Sequence, residues 1–389
     1  MKKHLVRYAI GSFVLACFLR CNKVDSLTNP PSSQPSDVAQ LIFVNTTDVS
    51  GASSLVTYNS KGELKWEYPN LRPISLWNQP TYGDKRLFVA SSNQLLAMDA
   101  ETGAARWQYN NQAYLINPKF VRDTIVTAAS VIAPSPTNAV LLLNKTNGSV
   151  LWSVPVSNQP LVTPVLDEGT VYNLTTNGTG TEVTLTAYDV ETKHWMWKQL
   201  IAAGFLMSKP FDMVLRKDTL FVGSLNGLVT ALNKYTGNVY WSKSFNTNQA
   251  HFYKNEIVYN DKSSGRITKL SLQTGNITIQ SQPINNARNI SRDAAYIYDD
   301  SFYYHTGDSL YCTSLVDGAI KWRKQTASYY TNFTRVGETV YCSRQNNALL
   351  NDNRIMIMNA KDFTVKDSIR VLKRTINTFS VLSAKNELY

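Results

Sequence analysis

From residue 55 onward the chain writes one unit eight times, which restricts it to architectures made by copying a supersecondary module. LVTYNSKGELKWEYPN starts at Leu55, LLAMDAETGAARWQYN at Leu95, VLLLNKTNGSVLWSVP at Val140 and LTAYDVETKHWMWKQL at Leu185. VTALNKYTGNVYWSKS follows at Val229, ITKLSLQTGNITIQSQ at Ile267, LYCTSLVDGAIKWRKQ at Leu310 and IMIMNAKDFTVKDSIR at Ile355. The turn positions are Gly62, Gly103, Gly148, Lys193, Gly237, Gly275, Gly318 and Phe363, spaced 41, 45, 45, 44, 38, 43 and 45 residues apart. Periods of that size belong to propeller blades or to stacked helix pairs.

Local chemistry separates the two. Each copy alternates apolar and polar residues, breaks at Asn or Asp followed by Thr-Gly, and resumes into an aromatic segment, which is a hairpin pattern. Asp99, Asn144, Asp189 and Asn233 stand four residues before the turn position, where their side chains can accept backbone N–H bonds, and glycine tolerates the left-handed conformation of the reversal. Trp66, Trp107, Trp152, Trp197, Trp241 and Trp322 stand four residues after it, on one side of the returning strand. A large flat side chain repeated there fills the gap between neighbouring blades. A second strand pair precedes each hairpin, as in PTYGDKRLFVASSNQ and PVLDEGTVYNLTT. The expected fold is therefore all-β, an eight-bladed propeller of four-stranded antiparallel blades. NTFSVLSAKNELY at Asn377–Tyr389 opens a unit and stops, while AQLIFVNTTD at Ala39 lacks its opening. The two ends are expected to pair and close the ring.

The N-terminus reads as an address. MKKHLVRYAIGSFVLACFLR, residues 1–20, is a basic start followed by a short apolar run, a secretory signal too short to span a bilayer. Val14-Leu15-Ala16-Cys17 resembles the lipobox of bacterial lipoproteins, which implies cleavage before Cys17 and its lipidation; Cys21, behind the bulky Arg20, is the alternative. Residues 21–38 form a Pro/Ser/Asn-rich tether, and 39–389 the propeller. The net charge is +11 and falls to about +8 without Lys2, Lys3 and Arg7. The remaining cations are scattered, so no nucleic-acid stripe is expected, and a mildly basic surface near an anionic membrane is.

The pattern apolar-x-Ala-x-Asp/Asn-x-x-Thr-Gly-x-x-x-Trp, clearest in AMDAETGAARW and ALNKYTGNVYW, resembles the repeat of the pyrroloquinoline quinone (PQQ)-type propellers from Ala39 to Tyr389. Ile279 and Asp367 depart from it where tryptophan is expected. Two branches of that family matter. PQQ-dependent dehydrogenases imply a Ca²⁺ held by oxygen ligands, an Asp base and a disulfide of adjacent cysteines against the cofactor, and no adjacent cysteine pair occurs here. The BamB-like lipoproteins imply a lipid-anchored, non-catalytic scaffold of β-barrel assembly, with outer-membrane or periplasmic proteins as partners, no cofactor and a monomeric propeller at the outer membrane. This second branch is the expectation, with no catalytic, cofactor or metal residue assigned.

Other chemistry finds little support. His194, His251 and His305 stand in different repeats without metal-ligand spacing, and no GxSxG, P-loop or GxGxxG element occurs. Cys312 and Cys342 lie in consecutive units, as two buried thiols or an inter-blade disulfide. Asp123-Thr124-Ile125, Asp218-Thr219-Leu220, Asp308-Ser309-Leu310 and Asp367-Ser368-Ile369 resemble the O-glycosylation site of exported Bacteroidetes proteins, although Asp and Ser/Thr are also ordinary turn formers. A surface-exposed ligand- or glycan-binding lipoprotein remains the alternative, hinted at by Tyr-rich loops expected at Ala327–Thr331 and Ser301–His305.

Overall fold

The computed structural model describes residues 39–389 apart from 72–79, 92, 112–113, 131–137, 178, 204–209, 225–227, 246, 248–249, 285–293, 327, 345–352, 373, 386 and 388. The signal, both candidate lipidation cysteines and the tether lie outside the described residues.

Eight antiparallel sheets form an eight-bladed propeller. Blade 1 is ordered Arg374–Ser383, Ala39–Asp48, Ser53–Asn59, Leu64–Leu71 from its first strand to its fourth. Blade 2 comprises Thr81–Gly83, Arg86–Ser91, Gln94–Asp99 and Ala105–Asn110. In blades 3 and 4 the first strand is split, into Tyr114–Leu115 and Lys119–Val121, and into Gln159–Pro160 and Val165–Asp167. Blade 3 continues with Thr124–Ser130, Asn138–Asn144 and Val150–Val156, and blade 4 with Thr170–Thr176, Glu182–Asp189 and Trp195–Ala203. Blade 5 is Pro210–Arg216, Thr219–Ser224, Leu228–Asn233 and Val239–Ser244. Blade 6 is Ala250–Tyr253, Glu256–Asp261, Arg266–Ser271 and Ile277–Gln280. Blade 7 is Ala295–Tyr298, Ser301–Thr306, Ser309–Ser314 and Ile320–Gln325. Blade 8 is Tyr330–Val336, Thr339–Arg344, Asn353–Asn359 and Val365–Val371.

The turn chemistry works as the residue types dictate. Asp99 Oδ1 accepts from the backbone N–H of Glu101 and Thr102, and Asn233 Oδ1 from Tyr235 and Thr236. Gly103 sits at φ 71°, a conformation that costs an L-residue about 1–2 kcal/mol. Lys193 and Phe363 occupy the same left-handed place at φ 62° and 56° without that relief.

The ring closes through its ends. Ile42 pairs with Val381, Phe43 with Ser380 and Val44 with Phe379 in an antiparallel register, and Tyr389 exchanges two backbone bonds with Val381. Burial follows: Ile42, Val44, Ile376 and Val381 are fully enclosed. Among the described residues the core divides into eight clusters, each shared by two adjacent blades; one of them joins Ile355, Ile357 and Ile369 of blade 8 to Ile42 and Val56 of blade 1. A blade therefore has no core of its own, because each sheet buries its faces only against its neighbours.

One expectation is overturned. Ser301–His305 is no loop but the second strand of blade 7, paired from Ser301↔Ser314 to His305↔Leu310, with all five side chains buried. The alternation was hidden because both faces of that strand meet a neighbouring blade, so polar and aromatic residues are enclosed alike. Of Ala327–Thr331, Tyr330 and Thr331 start the first strand of blade 8, Tyr329 is about half exposed, and Ala327 lies outside the described residues.

Candidate functional site

The tryptophans and turn glycines form one device. The rings of Trp66, Trp107, Trp197 and Trp241 lie beneath the turn of the following blade, so the two motifs meet across a gap of about forty residues. A Cβ on Gly103 would stand 2.6 Å from Trp66, one on Gly148 2.5 Å from Trp107, and one on Gly237 2.6 Å from Trp197. Gly275 relates to Trp241 in the same way at 2.8 Å. The indole N–H then donates to the carbonyl that follows the capping Asp, Asn or Ser. Trp66 bonds Ala100 at 3.0 Å, Trp107 bonds Lys145 at 2.9 Å, Trp197 bonds Lys234 at 3.1 Å and Trp241 bonds Leu272 at 3.0 Å.

The degenerate blades fill the same socket by other means. Where Ile279 replaces tryptophan, Lys269 Nζ reaches the Leu315 carbonyl at 2.7 Å, held also by Glu256 at 2.6 Å, and Gly318 rests on the Gln280 backbone. Where Asp367 does, Ile369 packs under Gly62. Trp322 meets Phe363 edge-on, and the Ala360 carbonyl is taken by the Tyr296 hydroxyl at 2.6 Å. Trp152 packs in the cluster that Tyr188 and Val190 of the next blade join, and buries its Nε1 without a partner. Ion pairs brace the turns of neighbouring blades: Lys145 joins Asp84 and Asp123, and Lys234 joins Asp167 and Glu168. These are structural roles, and neither Lys269 nor Tyr296 is signalled by the repeat pattern.

The three histidines stand apart from one another. His194 is exposed on a turn, His251 packs edge-on against Phe302, and His305 is enclosed by Tyr329 and Tyr330 with its pKa pushed down to about 4 by burial. Cys312 and Cys342 are free and buried in the cluster between blades 7 and 8, and burial raises both thiol pKa values. Cys342 Sγ touches Met358 Sδ at 3.9 Å. Among the described residues no three His, Cys, Asp or Glu side chains converge on a metal position. Of the Asp-Ser/Thr-apolar segments, Ser309 is fully buried and bonded to Asp308 and Arg323, while Thr124, Thr219 and Ser368 are partly exposed.

What remains as functional surface is the outside of the ring. The fourth strands are the exposed edges of their sheets, and they hold most of the large apolar side chains left in solvent, among them Leu64, Val150, Trp195, Val239, Ile277, Ile320 and Val365. Each of these seven stands two residues after its turn position. Sequence reasoning named no such contact residue, although an alignment of the eight copies carries the signal.

Comparison with known proteins agrees with this architecture. The family model described as outer membrane protein assembly factor BamB matches residues 25–207 and 181–365. A BamB of Moranella endobia is 23% identical over 235 residues, which are 56% of this chain and 57% of the relative. The chain spans about half the length of the curated relatives it matches. The crystal structure of BamB from Moraxella catarrhalis superposes with a TM-score of 0.54 at 15% identity, covering 80% of this chain and 96% of that one. A quinohemoprotein alcohol dehydrogenase from Comamonas testosteroni gives a TM-score of 0.57 at 13% identity, covering 77% and 67%, so structural likeness alone reports the fold and not the activity. With the model matched over both halves of the propeller, the chain belongs to the family of the outer membrane protein assembly factor BamB.

Proposed function

We propose that the chain is a lipid-anchored, non-catalytic propeller that serves as a protein-interaction scaffold in β-barrel protein assembly at the outer membrane. The observation that carries this reading is the family match over residues 25–207 and 181–365. The lipobox-like Val14–Cys17, with Cys21 as the alternative, supports an anchor, and the tether of residues 21–38 lets the ring stand off the membrane by about 5–6 Å times the square root of its length. A ring braced at every blade junction is a rigid platform, and rigid platforms bind through what they carry on edges and loops. Cys312 and Cys342 are buried together between blades 7 and 8, where burial holds both thiols protonated, which suits packing rather than nucleophilic chemistry. The partners are outer-membrane or periplasmic proteins.

Cross-linking of the lipidated protein in native membranes, followed by affinity capture and mass spectrometry, tests it. Barrel-assembly components are the expected partners. Their absence, with the protein open to protease on intact cells, would replace the scaffold by a surface-binding role. Addition of PQQ and Ca²⁺ is expected to give neither cofactor retention nor dye-linked alcohol oxidation.

A further inference from the structure

The second strand of blade 8 ends on Arg344, and the register of that sheet carries the position across all four strands. Tyr330 pairs with Arg344, Arg344 with Arg354, and Arg354 with Arg370. Residues paired across a sheet share one face with their Cβ atoms about 4.5–5.5 Å apart. Three guanidinium groups therefore stand side by side over roughly 10 Å, the width of two strand spacings. Cys342 and Met356, two residues from Arg344 and Arg354 and so on the same face, pack with Tyr303 and Cys312 of blade 7. The row thus stands on the side of blade 8 that faces blade 7.

The repeat supplies its own comparison. The row lies five residues along the second strand from the residue that pairs with the capping position, here Thr339 opposite Asn359. In blade 2 the same place is held by Ser91, Gln94 and Asn110, and in blade 7 by Thr306, Ser309 and Gln325. Blades 1, 3 and 4 are likewise uncharged there. Blade 6 sets Asp261 opposite Arg266, two charges of opposite sign. The fold asks for no cation at this place, and like charges set directly opposite one another weaken a sheet. Blade 8 keeps three.

The surroundings suit an anion that arrives from outside. Arg344 and Arg354 are half-buried and Arg370 is exposed. Arg354 Nη1 donates to Ser368 Oγ at 3.2 Å, which ties the middle side chain to the face it shares with Arg370. On blade 7, the turn between the second and third strands carries Asp308, which is bonded by Ser309, Gln325 and Arg323. At the inner end of the row Tyr330 meets the His305 ring edge-on, and the same ring meets Tyr329, which is 48% exposed. His305, kept neutral by burial, brings no charge of its own near neutral pH. The chain before Ala39 joins blade 1 at the start of its second strand, the opposite end from Arg344 in blade 8. A ligand on the row therefore sits on the ring face turned away from the N-terminal segment.

We propose that Arg344, Arg354 and Arg370 form a binding site for a soluble sugar that carries two phosphate groups, with Tyr329 against the sugar ring. Two phosphates bring about −3 to −4 charges at neutral pH and match three guanidinium groups, whereas two carboxylates would leave a cation over. Guanidinium forks take phosphate oxygens through paired N–H donors, and a sugar ring between its two phosphates has a length comparable to the row. Tyr329 offers a flat apolar face to the C–H groups of the ring. The inference stands apart from the scaffold reading and does not depend on it.

The test is calorimetric titration of the mature full chain, held in phosphatidylcholine nanodiscs in a phosphate-free buffer at low salt. The probes are glucose phosphorylated at its first and sixth carbons, plain glucose and pyrophosphate. The sugar bisphosphate is expected to bind, plain glucose not to bind, and pyrophosphate to bind at least threefold more weakly. Arg354→Gln installs a residue type that blades 2 and 7 carry in this row. It should weaken the sugar bisphosphate at least tenfold, with a ligand-free urea midpoint equal to the parent's or higher. Arg106→Gln removes the same charge from an exposed site on blade 2 and should bind as the parent does. A parent that ignores the sugar bisphosphate, equal binding by Arg354→Gln, or an equal loss in Arg106→Gln overturns the site. A fall in the ligand-free midpoint of Arg354→Gln also overturns it, because the row would then be an internal ion-pair network. Tyr329→Ser should weaken the sugar bisphosphate at least threefold and leave pyrophosphate unchanged; no effect, or pyrophosphate binding the parent as tightly as the sugar does, overturns the sugar. Cardiolipin added to the nanodiscs should leave the titration unchanged, and abolition of the signal would overturn the soluble ligand and assign the row to lipid phosphates.

Discussion

The junction between Trp66 and Gly103 gives the sharpest quantitative test of how blades are held together. Replacing Gly103 with alanine puts a Cβ 2.6 Å from the indole at a residue whose φ is 71°. Two costs follow: about 1–2 kcal/mol for an L-residue in the left-handed region, and about 1–3 kcal/mol for overpacking against a ring that is itself buried and bonded to Ala100. Gly51→Ala separates them, since Gly51 has φ 86° and nothing within 4 Å of its Cβ position. The expected losses are about 3 kcal/mol for Gly103→Ala and about 1 kcal/mol for Gly51→Ala. At roughly 2.1 cal/mol/K per residue, those become drops of about 4 °C and 1–2 °C in Tm. In a Trp66→Leu background the Gly103→Ala cost should shrink to the backbone part, a coupling of about 2 kcal/mol. Urea unfolding followed by far-ultraviolet circular dichroism at a constant slope is the assay. If Gly103→Ala costs no more than Gly51→Ala, or the double variant is additive, the indole is not what the glycine makes room for.

Three further outcomes are expected. Deleting residues 379–389 removes Phe379, Val381 and Leu382 from the closing strand, a loss of roughly 5–9 kcal/mol that matches the stability of a typical domain, so the truncated chain should elute as aggregate or expose protease sites across blade 1. His305 is buried neutral with its pKa near 4, so the unfolded chain, titrating near 6.5, binds the extra proton between those values and stability falls as pH drops from 6.5 toward 4, by about 3 kcal/mol; His305→Phe should flatten that part of a urea-midpoint profile, and an unchanged slope would refute it. Neither Cys312 nor Cys342 should be alkylated by iodoacetamide at pH 8 until urea unfolds the chain, as peptide mass spectrometry would show, because both thiols are enclosed and held protonated.

How much of this was readable in the sequence depends on whether a contact is local. The hairpins at Gly62, Gly103, Gly148, Gly237, Gly275 and Gly318 were legible because cap, turn and returning strand lie within a dozen residues. Closure was legible from two half-units at the ends. The pairing of Trp66 with Gly103 was not, because the two belong to different copies and only the stacking of blades brings them together. For the same reason Lys269 and Tyr296 were invisible as replacements for an absent or displaced indole: their targets, Leu315 and Ala360, are backbone carbonyls of the next blade, and a carbonyl has no residue type. Ser301–His305 misled because a strand buried on both faces shows no alternation. Arg344, Arg354 and Arg370 were likewise invisible as a set, because only the strand register puts them in one row.

Closure by the last strand also sets the order in which the molecule can become itself. Asn377 Nδ2 bonds Thr47 Oγ1 across 330 residues of chain, and every backbone bond between Ala39–Asp48 and Arg374–Ser383 spans a similar distance. Contacts of such separation form late, since nearly the whole chain must be ordered before they repay its entropy. A polypeptide emerging from synthesis with only seven blades is an open arc whose first sheet lacks its innermost strand. Until Arg374–Ser383 is in place, the edge of Ala39–Asp48 that it pairs with stays open. The same strand that completes the ring is the clock that delays it.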